Sequence, residues 1–336
     1  MSELYPLLLL PEFHERIWGT NDLSAFYPSH KVGKEPIGEV WLTGEGCRVA
    51  NGPLQGRTLG EISQQFGERM NGTRAREQRF PLLMKIIFPK QKLSVQVHPD
   101  DQGARKVGLP CGKTECWYVL SAAAGAKVAL GLKSGTVRAK VEASIHAKNM
   151  EQLLNWIPVQ AGDMIYVDAG TVHAIGPDCV LLETQQNSDT TYRLYDYGRP
   201  RELHIDQGLE AMKEVTRAGK VKSRGGNGRV VLVSSPSFEV DKMVLKNVKT
   251  FSTSEAEGRT SPHCVVGLRG CGIIECEGKP AISIGRGEAG VIPASLGSYR
   301  IRPQWEFECV RAMLPSQEVG EPTTETPAQL LAAVTQ

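Results

Sequence analysis

The chain has 336 residues, 39 of them basic and 37 acidic, for a formal charge of +2. That length suffices for about two domains whose cores need no disulfide staples. The near-balance of charge gives no electrostatic case for nucleic acid or an anionic membrane as partner. At 40% hydrophobic and 23% charged the composition is that of a folded chain, and its 35 glycines favour a turn-rich, mainly β protein over a helical bundle.

In chain order, residues 7–10 form an apolar run closed by Pro6 and Pro11. It is far short of the ~18 residues of a membrane span and lacks a basic flank, so the expected address is cytoplasmic. Glu39-Val40-Trp41-Leu42 reads as a strand. Thr58 with Glu61 three residues on reads as a capping box, predicting a helix to about Phe66. Residues 73–79 read as a charged, exposed connector. Residues 81–88 are an apolar strand interrupted by Lys85, and residues 93–98 alternate apolar and polar. Strands are expected at 117–120, 126–132, 164–167, 172–175 and 179–184. Asn149 predicts a capped helix over 150–156, and Ile205, Leu209 and Met212 share one stripe of a helix over 205–215.

Residues 217–228, rich in Lys, Arg and Gly, read as a linker, and short strands with glycine turns resume at Val230. The organisation expected is therefore residues 1–216 as one domain, 217–228 as linker, 229–316 as a second domain and 317–336 as a loosely packed tail. The eight cysteines form no CxxC pair and read as buried reduced thiols. An internal echo supports two related barrels: Gly162-Asp163-Met164-Ile165-Tyr166-Val167-Asp168-Ala169 resembles Gly287-Glu288-Ala289-Gly290-Val291-Ile292-Pro293-Ala294. Carried onward, that alignment sets His173 on Ser298, leaving the second copy without the histidine.

Chemistry concentrates where polar groups stand among apolar ones. Gln96 and His98 alternate with Val95 and Val97, so both point to one face of a strand. Glu115 opens the next strand-like segment, and His173 follows the Ala169-Gly170-Thr171 turn. Two imidazoles, a carboxylate and an amide oxygen suit zinc, while iron, manganese and nickel also accept such ligands. Lys85, Lys113 and Arg193 are costly in apolar settings unless they meet an anion. A phosphorylated or carboxylated small molecule would serve, as would local ion pairs of Arg193 with Asp189 or Lys113 with Glu115. No phosphate-binding glycine motif is present.

These segments resemble the type I mannose-6-phosphate isomerases, zinc-dependent members of the cupin superfamily. The resemblance rests on Gln96-Val97-His98-Pro99-Asp100, on Lys113-Thr114-Glu115, on Gly170-Thr171-Val172-His173, on Ser188-Asp189-Thr190-Thr191-Tyr192-Arg193, and on Arg16-Ile17-Trp18-Gly19 and Glu202-Leu203-His204. It implies two cupin-type β-barrel (jelly-roll) domains with a few short helices, the second without metal ligands. It also implies one Zn2+ per chain on Gln96, His98, Glu115 and His173. Arg193, Lys85, Lys113 and Asp189 would then be catalytic, with Ser94, Lys113 and Arg193 binding substrate. The implied reaction interconverts mannose 6-phosphate and fructose 6-phosphate through an enediol, with a phosphosugar as sole partner. The general base stays open among Asp189, Lys85, Glu183 and a zinc-bound water. Another metal-dependent cupin enzyme and a non-enzymatic sugar-phosphate sensor are the competing readings.

Overall fold

The alternation around Gln96 becomes a short strand, Val95–Val97, second in a five-stranded antiparallel sheet. Its order is Tyr192–Tyr195, Val95–Val97, His173–Ile175, Lys127–Leu132, Leu154–Pro158. The computed structural model describes residues 3–334 apart from 76–77, 227, 316 and 318. Parts of the expected connector, linker and tail therefore lie outside the described residues.

A second sheet of eight strands faces the first. Its order is Glu12–Thr20, Ile37–Trp41, Leu82–Ile87, Cys179–Gln186, Glu115–Ala122, Met164–Val167, Gly219–Val221, Thr324–Glu325. Between the sheets lie Trp117, Val119, Ile165 and Leu181 from one side and Val128, Leu130, Ile157 and Ile175 from the other. The outer face of the five-stranded sheet carries Val95, Val97 and Ala174, covered by Val141 and Ile145 of helix Arg138–His146 and Leu209 of helix Ile205–Ala211. The period of two at residues 95–98 thus separates a helix-covered face from a barrel interior.

Strands between Arg224 and Met313, joined by Leu7–Leu9, build the second barrel. Its nine-stranded sheet is dominated by two long strands, His263–Glu275 and Ser298–Met313, which pair along most of their length. Bulges at 267–269 and 270–272 bend the pair so that one sheet wraps its own core of Val265, Ile274, Ile292, Tyr299 and Phe307. Gly270 makes the bend with φ of +75°, and a Cβ there would meet the Glu306 carbonyl at 2.0 Å. The outer faces of the eight- and nine-stranded sheets pack together through Met84, Ile86, Tyr118, Leu182, Val240, Val266 and Val310. Buried on both faces, strand Leu82–Ile87 reads as a continuous apolar run rather than an alternation.

The mainly β, cupin-type class expected from sequence is what the chain adopts, and the helix after Thr58 spans Leu59–Phe66 with its reciprocal capping box formed. Several elements differ. Residues 150–156 form a 3-10 turn, Met150–Leu153, and then a strand, Leu154–Pro158, because pairing with Lys127–Leu132 satisfies more backbone than a capped helix would, and Asn149 caps nothing. The helix at 205 ends at Ala211, where Met212 turns extended. Strand Leu7–Leu9 crosses to the nine-stranded sheet and pairs with Ala289–Ile292. The segment read as linker supplies Gly219–Val221 to one sheet and Arg224–Gly226 to the other. The segment read as a loose tail supplies Thr324–Glu325 and helix Pro327–Val334, whose Leu330 packs on the first barrel. Among the described residues no helix is long and apolar enough to cross a membrane, and all eight cysteines are free, six of them buried.

Candidate metal centre and active-site cavity

Strand pairing brings the polar residues together. His173 lies opposite Gln96, Gln96 lies opposite Arg193, and Glu115 opens the facing sheet's strand beside Val167. Inside the barrel His98, Glu115 and His173 each offer a ligand atom within 4.8 Å of the others, all three side chains buried. Glu115 Oε2 is 3.5 Å from His98 Nε2, and Glu115 Oε1 is 3.4 Å from His173 Nε2.

The orientation of these groups is set by their outer contacts. His98 Nδ1 donates to the Thr190 carbonyl at 2.8 Å and His173 Nδ1 to the Thr171 carbonyl at 2.9 Å. That fixes each proton on Nδ1 and turns both Nε2 lone pairs inward, as metal-binding imidazoles require. Trp117 Nε1 donates to Glu115 Oε1 at 3.1 Å. Burial, and then Lys113, push the His98 pKa well below its ordinary value, and burial lowers that of His173. Burial alone would raise the Glu115 pKa, but Lys113 and the two imidazoles outweigh it and hold the carboxyl well below its ordinary range. The cluster is therefore two neutral imidazoles and one carboxylate, the protonation states a divalent cation demands. Its buried Glu115 Oε2 has no partner in hydrogen-bond geometry, although the Lys113 ammonium lies 2.7 Å away. The donor set fits zinc. Gln96 faces the cluster with its amide nitrogen, donating to His173 Nε2 at 3.2 Å, and offers an oxygen only if the amide turns.

A cavity of about 260 Å³ reaches this cluster through Gln96 and Lys113. Lys113 donates to His98 Nε2 at 3.1 Å, so the local ion pair with Glu115 that the sequence allowed does form, beside the candidate ligands. Lys85, Glu183 and Lys113 form a buried row along one wall: Glu183 Oε1 is 3.1 Å from Lys85 and 3.7 Å from Lys113. Burial and then Glu115 push the Glu183 pKa up. For Lys85 burial works downward, but Glu183 and Glu39 outweigh it and raise the pKa. Ser94 is buried in the same cavity, its hydroxyl 3.3 Å from Gln96 Oε1. Asp189 sits exposed at the rim, and Arg193 donates to the Glu202 carbonyl at 2.7 Å rather than to Asp189. All nine sequence candidates thus lie in or directly behind one cavity. A larger hollow of about 580 Å³, bordered by Arg74, Phe80, Asn187 and Leu314, contains none of them.

Of the lining residues without an assigned role in the sequence, four carry a charge or an aromatic ring: Arg16, Trp18, Glu39 and Arg201. Arg16 forks onto Glu39 at 3.2 and 3.1 Å, and Glu39 reaches Lys85 at 3.9 Å. The Arg16-Ile17-Trp18-Gly19 segment was the available signal for the first two.

Residues 7–124 match the family described as phosphomannose isomerase type I, catalytic domain. The chain is 36% identical over 317 residues to a mannose-6-phosphate isomerase of Streptococcus mutans, covering 90% of this chain and 95% of that one. The solved mannose 6-phosphate isomerase of Bacillus subtilis superposes with a TM-score of 0.79 at 29% identity, over 91% of this chain and 99% of that one. A zinc-bound mannose 6-phosphate isomerase shares the fold, with a TM-score of 0.71 at 14% identity over 92% of this chain and 99% of that one. With its cavity, its His/Glu/His cluster and this identity along nearly the whole length, the chain belongs to the type I mannose-6-phosphate isomerase family.

Proposed function

We propose that this enzyme interconverts mannose 6-phosphate and fructose 6-phosphate through an enediol, with one zinc ion held by His98, Glu115 and His173 and completed by Gln96. The observation that carries the reading is a buried ligand cluster reached through Gln96 and Lys113 from a cavity lined by Lys85, Glu183 and Arg193. Bound there, zinc would supply a Lewis acid for the sugar oxygens at C1 and C2.

The reaction moves the carbon-bound proton from C2 to C1 and the hydroxyl proton from O2 to O1. The C1 aldehyde becomes a hydroxyl, the C2 hydroxyl becomes a ketone, and no electron is gained or lost. The protein must therefore hold an open-chain sugar, accept and return a carbon-bound proton, and offset the charge that develops on the oxygens. Lys113, beside His98, and Arg193, paired opposite Gln96, supply positive charge to the cavity. Among the candidate bases Glu183 fits best. Its buried carboxyl lies between two ammonium groups, and burial and Glu115 bring its pKa up toward the working range of a general base. Asp189, at the exposed rim, borders the entrance.

The test is a coupled assay for fructose 6-phosphate formed from mannose 6-phosphate, run on native, chelated and zinc-restored enzyme and on Arg193→Ala. Turnover that vanishes with chelator, returns with zinc and falls steeply in the variant supports the reading. Folded, zinc-loaded protein without turnover overturns it.

A further inference from the structure

The far end of the cavity holds more positive charge than its ion pairs consume. Arg193 and Arg201 both line it, and Arg199 stands nearby. Asp196, 3% exposed, is the carboxylate that organises them. Its oxygens accept from Arg201 Nε at 2.6 Å and Nη2 at 2.7 Å, and from Arg199 Nη2 at 2.7 Å. The two arginines end differently. Arg199 also donates to the Lys92 carbonyl at 2.9 Å and the Asp196 carbonyl at 3.2 Å, and it does not line the cavity. Arg201 has committed only one edge of its fork, and the rest of the guanidinium faces the cavity. Beside it Arg193 keeps a buried Nε with no partner. Burial, and then the Arg201 charge, push the Arg193 pKa down. Two cations with unspent donors on one wall, one of them clamped by a buried carboxylate, are arranged for an oxyanion with several acceptor oxygens.

The spacing agrees. Along the register His173, Gln96, Arg193, the candidate ligand His173 and Arg193, the neighbour of Arg201, are two strand spacings apart, roughly 10 Å at the backbone. An open-chain hexose carrying its anion on the carbon farthest from the reacting pair spans such a gap. Resting on the isomerase reading, we propose that Arg201 is the phosphate-recognition residue of this cavity, with Asp196 as its positioning residue and Arg199 as a strut outside it.

Steady-state kinetics on Arg201→Met, Arg201→Lys, Asp196→Asn and Arg199→Met test this, with inorganic phosphate as competitive probe. Loss of a charge-assisted fork should raise KM for mannose 6-phosphate about tenfold to a hundredfold with kcat within about threefold. Inhibition by inorganic phosphate should weaken by the same factor in Arg201→Met. Lysine keeps the charge but not the fork and should recover part of the loss, while Asp196→Asn should fall between. Arg199→Met should leave both KM and phosphate inhibition unchanged. Unchanged KM and phosphate inhibition in Arg201→Met, or an equal loss in Arg199→Met, overturns the assignment. Calorimetric titration of phosphate into wild type and Arg201→Met separates the two levels. Phosphate bound by wild type and lost in Arg201→Met, without isomerase turnover, rejects the reaction and keeps the site. Turnover with phosphate binding equal in both proteins rejects the site and keeps the reaction.

Discussion

The two barrels carry the same buried ladder with its charges inverted. In the first, Glu115 pairs with Val167, two residues on Trp117 pairs with Glu183, Glu183 pairs with Lys85, and Lys85 pairs with Trp41, two residues after Glu39. In the second, His263 pairs with Ile292 at the matching place of the echoed segment. Val265 then pairs with Arg311, Arg311 with Asp241, and Asp241 with Val231, two residues after Arg229. Glu39, Lys85 and Glu183 are thus answered position for position by Arg229, Asp241 and Arg311. Both rows are ion-paired, at 3.9 and 3.1 Å in the first and 2.7 and 2.6 Å in the second. The candidate-ligand positions follow suit. Tyr299 pairs with Phe251 as His173 pairs with Gln96, and the Tyr299 hydroxyl lies 2.7 Å from His263 Nδ1. The sequence echo placed Ser298 opposite His173. The register places Tyr299 there, because the intervening turn is one residue longer. The Arg311 guanidinium lies over Phe251 at 4.5 Å, filling the interior that the first barrel leaves open. One register can therefore support a reaction cavity or a closed core, and the choice rests on whether aromatic rings and paired charges fill it.

The largest effect should separate the barrels by function. His173→Ala removes an imidazole from the ligand cluster, and turnover should fall by about three orders of magnitude, since metal stabilisation is worth several kcal/mol. His263→Ala, at the position matching Glu115, should leave turnover within about threefold. Comparable losses in both would mean that the second barrel's polar cluster takes part in the reaction.

Stability should separate them in the opposite sense. Asp241 is 1% exposed and pairs with both Arg229 and Arg311. Asp241→Ala strands the buried Arg311 charge and should cost about 3–5 kcal/mol in urea unfolding, with turnover of the folded fraction unchanged. A cost below about 1 kcal/mol would show that the ladder is solvated in solution.

What the sequence revealed follows from the same physics. His98, Glu115 and His173 were legible because each interrupts an apolar segment, where an unpaired polar group would be costly. Lys85 was legible as one charge in a strand buried on both faces. Arg201 and Asp196 were hidden because Asp196-Tyr197-Gly198-Arg199-Pro200-Arg201 has no apolar run in which a charge would stand out, and only the fold buries its carboxylate. The second ladder was hidden because its members are spread from Arg229 to Arg311 among glycine-rich strands and meet only through register. Helix Arg138–His146 escaped because its buried side is Val141, Ser144 and Ile145, too short an apolar stripe to stand out.

Acid should act on the first ladder through Glu39. Burial works to raise its pKa, but Lys85 and Arg16 outweigh burial and lower it from 4.5 to about 2. A carboxylate depressed in the folded state contributes stability above its unfolded pKa and loses it as pH falls through the folded one. The contribution, about 3 kcal/mol at neutral pH, should therefore disappear between about pH 4.5 and pH 2. Glu39→Gln should flatten that limb of an unfolding curve measured against pH. An unchanged slope would place the acid sensitivity elsewhere.

The smallest expected effect is the sharpest test of the comparison. If the second ladder serves only to fill its barrel, charge itself is dispensable there, and what matters is that no member is left alone. Replacing Arg229, Asp241 and Arg311 together by Met, Leu and Met keeps volume and removes every charge, so the desolvation cost and the pairing gain leave together. Buried ion pairs replaced in this way are often neutral or stabilising. The triple variant should unfold within about 1 kcal/mol of wild type and keep its turnover, although Asp241→Ala alone is severely destabilised. The matching replacement of Glu39, Lys85 and Glu183 should also fold, but without turnover, because there the paired charges also line the cavity. A triple variant of the second barrel that folds yet loses activity would mean that its ladder speaks to the first barrel across the shared core of Met84, Tyr118, Val240 and Val310.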